Sequence, residues 1–289
     1  WGKTFPGCNA ENQSPIDIDT TTLTYDSGLT AFDWSNYGAI PRNARWELIN
    51  NGHSAQLVLD GDYQLWDGGL DGIYKAVHAS LSWGSEDHIG SEHLIDGRGF
   101  PAELQIVHYS LAAGSYDEAL HVEKGIAIMS FLFRLSPVDN RVYDQILLHL
   151  ERIPYKDEKV IVRPLPLLSL LPLNLNNYFR YSGTFTSPPC TPGVIWSVFE
   201  DHIDISLSQR LRKLLHTTEH SSNAPTMLNN FRPTQALGSR VVYASDPKHS
   251  NLLTSPLNSP ISITVAVLVG FIVMFFFINR SSHEEVSGY

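Results

Sequence analysis

In the stretch "KAVHASLSWGSEDHIGSEHLIDG", Lys75 to Gly97, the apolar residues Val77, Ala79, Leu81 and Trp83 alternate with His78, Ser80 and Ser82. A period of two predicts a strand with one apolar and one polar face, so an imidazole and two hydroxyls share one side of it. A second alternating run, "AELQIVHYS", sets Glu103, Gln105 and Val107 against Leu104, Ile106 and His108. "NNGH" places His53 in a glycine-containing turn, and "GSEH" brings Glu92 and His93 close behind Trp83. "GTFTSPPCTPGVIW" is a proline-rich, extended segment that carries Thr186, Ser187 and Cys190. Carboxylates, imidazoles and hydroxyls gathered in this way are the materials of proton transfer and metal binding. No Gly-rich phosphate loop or nucleophile elbow accompanies them.

The elements that must position these groups are mostly strands. "SPIDID", "RWELIN", "SAQLVLD", "KAVHASLSW", "AELQIVHY" and "GIAIMSFLFRL" are short strand-like runs, the last a continuous apolar one expected to be buried on both faces. "RVYDQILLHLERI" predicts a helix with Val142, Ile146, Leu150 and Ile153 on one face. "SLSQRLRKLLHT" predicts another, with Leu207, Leu211, Leu214 and Leu215 aligned. Asp-Gly pairs in "LVLDGDYQL" and "LWDGGLDG" mark turns. The expectation is a mainly β domain with peripheral helices.

Composition narrows the function. The chain has 289 residues, 43% hydrophobic and 17% charged, with a formal net charge of −10. An acidic surface disfavours phosphate backbones, so nucleic acid is excluded as a general partner. "ISITVAVLVGFIVMFFFI", Ile261 to Ile278, carries no charge and as a helix spans about 27 Å, close to the thickness of a bilayer core. The organisation expected is an ectodomain over 1–247, a linker over 248–260, a transmembrane helix over 261–278 and a cytoplasmic tail over 279–289. Arg280 directly after the span supports that orientation. The chain is thus read as a single-pass type I protein of the plasma membrane or another surface membrane. Cys8 and Cys190, the two cysteines, then lie on the oxidising side, either bridged or as two buried thiols.

"QSPIDI", "NNGH", "WGS…GSEH", "AELQIVHY", "TSPPC…VIW" and "NNFRPTQ" occur in the order and spacing of the α-carbonic anhydrases, and the resemblance runs from Trp1 to about Ser245. It implies a twisted, largely antiparallel sheet of about ten strands around a conical pocket. "W-x-x-x-F-P-x-C" at the start resembles the extracellular members, whose disulfide carries over to Cys8 and Cys190. Active members hold zinc with three histidines, two from "H-x-H-W-G" and a third from "E-L-H-x-V-H". Here those positions are Ser80, Ser82 and Gln105. Zinc is held by imidazole nitrogen, thiolate or carboxylate, and neutral hydroxyl and amide oxygens are poor substitutes.

Other family positions are retained. His53 matches the proton-shuttle position. Glu92 and Thr186, with Ser187 beside them, match the pair that orients the zinc-bound hydroxide. Glu103 matches the partner of the third ligand. Val107, Ile128, Val194 and Trp196 match the apolar substrate wall, with Phe185 where a leucine is usual and His78 where a glutamine is. From the three substituted positions the sequence is read as a catalytically inactive relative without zinc or another cofactor. On that reading it is no enzyme but a membrane-anchored, cell-surface binding or adhesion module. Its partner would be a protein in preference to a glycosaminoglycan, because the residues before the membrane segment, 1–260, keep −9 of the net charge. The alternative is a zinc-dependent carbonic anhydrase, performing reversible carbon dioxide hydration through an altered metal site.

Overall fold

Strand-forming sequence dominates the observed architecture, although its longest strand, Pro192–Ser206, was not among the runs singled out from the sequence. The computed structural model describes residues 1–249 except 208, 210, 211, 213, 214 and 222. Eight strands frame the site: β1 (Arg45–Asn50), β2 (Ala55–Asp60), β3 (Tyr74–Trp83), β4 (Ala102–Ser110), β5 (Ile126–Ser136), β6 (Lys159–Val162), β7 (Tyr178–Thr184) and β8 (Pro192–Ser206). They lie in the order β6-β1-β2-β3-β4-β5-β8-β7, extended by Tyr243–Ala244 and Thr24–Tyr25. The pairing is antiparallel except for β5 with β8 and for the two short outer strands. With the short strands Phe32–Asp33 and Gln64–Asp67 the sheet has 12 strands among the described residues, against the expected number of about ten, and it is mixed.

The apolar run of β5 is buried from Ile126 to Phe133, as a strand covered on both faces must be. One face carries the larger core, in which Trp46, Tyr63, Phe131, Phe133 and Phe199 are buried. The other face carries Ile16, Ile18, Val107, Ile128, Leu132, Tyr181, Val194 and Trp196. In β3 the alternation is interrupted, because the register with β4 shifts between Ala76 and His78. This irregularity re-aims the strand, as bulges do. Beyond it His78, Ser80 and Ser82 follow one another on a single face.

Among the described residues two α-helices accompany the sheet, α1 (Tyr116–Ala119) and α2 (Arg141–Leu150). Asn140 caps α2 by accepting from the Val142 N–H at 3.1 Å. Tyr143, Ile146 and Leu150 are its buried residues, while Val142 is only partly buried and Ile153 packs from the turn beyond the helix. No helix occurs among the described residues of the second expected segment. Leu207 is exposed there and Leu215 buried, whereas Leu211 and Leu214 lie outside the described residues. Cys8 and Cys190 are joined in a disulfide across a sequence separation of 182.

Trp1–His249 form one compact unit. Residues 261–289, on which the transmembrane helix and tail are expected, lie outside the described residues. Among the described residues no helix is long and apolar enough to cross a membrane.

Candidate active site

Cross-strand register lays the polar and apolar side chains out in two rows. Gln56 of β2, Ser80 of β3, Gln105 of β4 and Ser130 of β5 are successive partners across the sheet. Two residues along, Val58, His78, Val107, Ile128 and Trp196 form the next row. Val194 extends that apolar wall on β8, opposite Ile126. A polar row beside an apolar row on one face is what a small cavity needs to orient a partly polar reactant. Gln56, Val58 and Ser130 were not singled out by sequence, although the alternation in "SAQLVLD" carried the signal for the first two.

The loop after β3 folds back over this face. It turns at two glycines that approach other backbone closely. A Cβ on Gly84 would lie 1.5 Å from Ile89 O, and one on Gly90 2.0 Å from Pro101 O. Glu92 is delivered in this way to a site where it is 7% exposed. Its Oε1 accepts from the Arg232 backbone N–H at 3.0 Å, its Oε2 from Gln105 Nε2 at 2.7 Å, and the Thr186 hydroxyl also donates to it. Burial, reinforced by the charge of Glu103, raises the pKa of Glu92, and these three donors oppose the rise.

Glu103 is fully buried and saturated with donors. Oε2 accepts from the backbone N–H groups of Glu92 and His93, both at 2.8 Å. Oε1 accepts from His93 Nδ1, Ser130 Oγ and Gln105 Nε2, each at 2.8 Å. Burial alone would raise the pKa of Glu103, but His93 and the other donors hold it at about 2. On its far side His93 Nε2 meets Tyr181 Oη at 2.7 Å, and Trp196 anchors the wall by donating from Nε1 to Thr184 O at 3.0 Å. Arg232 was present in the quoted motif "NNFRPTQ", but its role here was not foreseen.

The remaining expected residues are placed as follows. His78 lines the face, and burial lowers its pKa to about 4, which keeps it neutral at physiological pH. Phe185 is half-buried against the wall cluster. Ser187 is exposed, its carbonyl accepting from Cys190 N at 2.9 Å. His53 is an exposed rim residue, with its backbone held by Asn51 and Asn230. His108 faces the other side and bonds Tyr37.

Ser80 and Gln105 are direct cross-strand partners, with Ser82 two residues along β3. As a zinc site this set is deficient in donors. The hydroxyls are neutral, and Gln105 Nε2 already donates its hydrogens to two carboxylates. Ser82 Oγ donates to Gly90 O at 3.0 Å. Among the described residues no three His, Cys, Asp or Glu side chains are gathered as a metal-holding group. The residues present therefore do not fit a three-imidazole zinc site.

A profile of the family described as eukaryotic-type carbonic anhydrase matches residues 1–246. The chain is 37% identical over 252 residues to "Carbonic anhydrase 12" of Homo sapiens, covering 85% of this chain and 70% of that protein. It is 33% identical to "Carbonic anhydrase 6" of Bos taurus over 251 residues, covering 86% and 77% of the two chains. "Carbonic anhydrase 4" of Rattus norvegicus is 33% identical over 267 residues, with 91% and 84% covered. These matches overturn the expectation of a non-catalytic binding or adhesion module, since the proteins matched are named as enzymes over most of their length. They also overturn the expectation that the protein is no enzyme and needs no cofactor. That expectation was drawn from three side chains, whereas the similarity to a family of zinc enzymes extends over residues 1–246. The donor chemistry at positions 80, 82 and 105 and the chemistry of the family thus disagree.

Proposed function

Because this chain belongs to the eukaryotic-type carbonic anhydrase family, we propose that it is a carbonic anhydrase, catalysing the reversible hydration of carbon dioxide through an altered site. The observation that carries the reading is the apolar row of Val107, Ile128 and Trp196 lying beside the polar row of Ser80 and Gln105. Carbon dioxide is apolar and suits the first row; water, a neutral hydrogen donor, suits the second.

In the reaction, a water oxygen bonds to carbon, one C=O π bond opens, and one proton leaves with bicarbonate as product. Zinc, when bound in this family, supplies a water of lowered pKa. No step here is derived through it, because the donors at the three positions do not fit the ion. The chain's own groups hold the remaining parts in place. Val107, Ile128, Val194 and Trp196 exclude water from one side of the reactants. Thr186 donates to Glu92, so its hydroxyl oxygen is directed to accept from a reactant O–H. His53 stands exposed at the rim, where a released proton can pass to buffer. A location outside the cytosol is supported by the Cys8–Cys190 disulfide, and anchoring through 261–278 is part of the same proposal.

The test is stopped-flow hydration of carbon dioxide by the purified full chain, with bound metal measured in the same sample. The reading expects a rate above buffer that scales with protein concentration. A rate equal to buffer at every concentration contradicts it.

A further inference from the structure

Gln105 brings one acceptor and one two-hydrogen donor to the floor of the pocket. Its Nε2 lies 2.7 Å from Glu92 Oε2 and 2.8 Å from Glu103 Oε1, so each amide hydrogen is engaged by a carboxylate. The donor end is closed, and Oε1 is the remaining polar atom of the side chain. No described residue donates to it. Among the described residues only Trp34 Nε1 and His202 Nε2 are buried side-chain polar atoms without a partner. Oε1 of the half-buried Gln105 is therefore open on this face of the sheet. The same reasoning applies to Ser80 Oγ, directly opposite in register. Ser82 differs, because its hydroxyl hydrogen is held by Gly90 O.

Cationic groups near the floor are turned elsewhere. The Arg232 guanidinium donates to Gln13 Oε1 and Ser14 O at 2.9 Å and to Cys8 O at 3.0 Å. The His93 ring is engaged by Glu103 and Tyr181. What faces outward here is a carbonyl oxygen and a hydroxyl, with the carboxyl groups of Glu92 and Glu103 immediately behind the amide. Glu103, held ionised by its donors in a poorly screened setting, repels a further negative charge.

We propose that Gln105 is a specificity-determining residue: with its amide hydrogens held by Glu92 and Glu103, it joins Ser80 in presenting acceptor oxygens backed by two carboxylates, so the floor takes neutral hydrogen-donating molecules and turns anions away. The inference deepens the function proposed above and rests on this pocket being the reactive one. Water, a neutral donor, is held there, and bicarbonate is released from it.

Formamide and formate, equal in size and different in charge, are the probes. The purified full chain, labelled in its glutamine side chains, is titrated with each at equal ionic strength. The Gln105 amide signal, identified by its loss in Gln105→Leu, reports binding. Formamide should shift it with an affinity at least about tenfold tighter than formate, the size of a modest charge preference. Ser80→Ala, which leaves both carboxylates and their donors in place, should weaken formamide several-fold. It also identifies the site if Gln105→Leu does not fold, through the weakened formamide response. Equal or tighter binding of formate overturns the proposal, as does no response to formamide or formamide binding unchanged in Ser80→Ala. Hydration activity is read separately: its absence with the charge preference intact counts against the proposed reaction alone.

Discussion

The floor of the site and the bracket around it are held to different degrees. At the floor, the Ser80 hydroxyl and the Gln105 carbonyl oxygen have no protein partner among the described residues. In the bracket, Glu92, Glu103, His93, Thr186 and Trp196 are tied to their neighbours by hydrogen bonds. The difference lies in what each region is held by. The bracket is tied by backbone N–H groups, buried carboxylates and a disulfide, so its geometry does not depend on an ion. Gln105 belongs to both regions, because its amide end completes the bracket while its oxygen faces the floor.

The comparison is broken most severely at the covalent tie. Replacing both cysteines by serine removes a constraint spanning 182 residues, worth about 5 kcal/mol on the chain-entropy argument. Denaturant unfolding of the variant should show a loss of that order. Next is Glu103→Ala, which strands five donors in a fully buried setting and should destabilise by about 3–5 kcal/mol, read the same way.

Acid should weaken the bracket in stages. His78 and His108 are lowered by burial to about 4 and about 3 from 6.5, so the unfolded chain takes up protons first and stability falls once pH drops below 6.5. Glu103, held at about 2 despite burial, contributes stability that is present above 4.5 and lost as pH falls from 4.5 toward 2. Glu92 acts in the opposite sense, because its raised pKa gives stability that is full below 4.5 and lost as pH rises through the folded value. A series of urea midpoints from neutral to acid pH should descend through both windows, and His78→Gln should flatten the upper one. The smallest effect belongs to the floor. Ser80→Ala should change unfolding stability by no more than about 0.5 kcal/mol, since its hydroxyl has no protein partner among the described residues. A loss there as large as that of Glu103→Ala would erase the distinction between floor and bracket.

How far this was legible in the sequence depends on the range of the interactions. The alternation of 74–83 and 102–110 and the apolar run of 126–136 correspond to strands because side-chain periodicity is local. The register shift beside Val77 was not legible, since a bulge depends on the partner strand. The helix expected from "RVYDQILLHLERI" forms, but it ends at Leu150, and Ile153 is buried without being helical. The five donors on Glu103 come from Glu92, His93, Gln105 and Ser130, a convergence that exists only in the folded sheet. Positions 80, 82 and 105 were given too much weight as evidence of function. A donor set describes one point of the pocket, and the match over residues 1–246 describes the whole of it.

The most direct measurement is the initial rate of carbon dioxide hydration by the purified full chain, set beside a Val107→Trp variant that places a larger ring in the apolar row, opposite Ile128. The account predicts catalysis above buffer in the parent protein and its loss when the apolar row is blocked. Catalysis unchanged in the blocked variant would place the reaction elsewhere, and a parent rate no different from buffer would contradict the account outright.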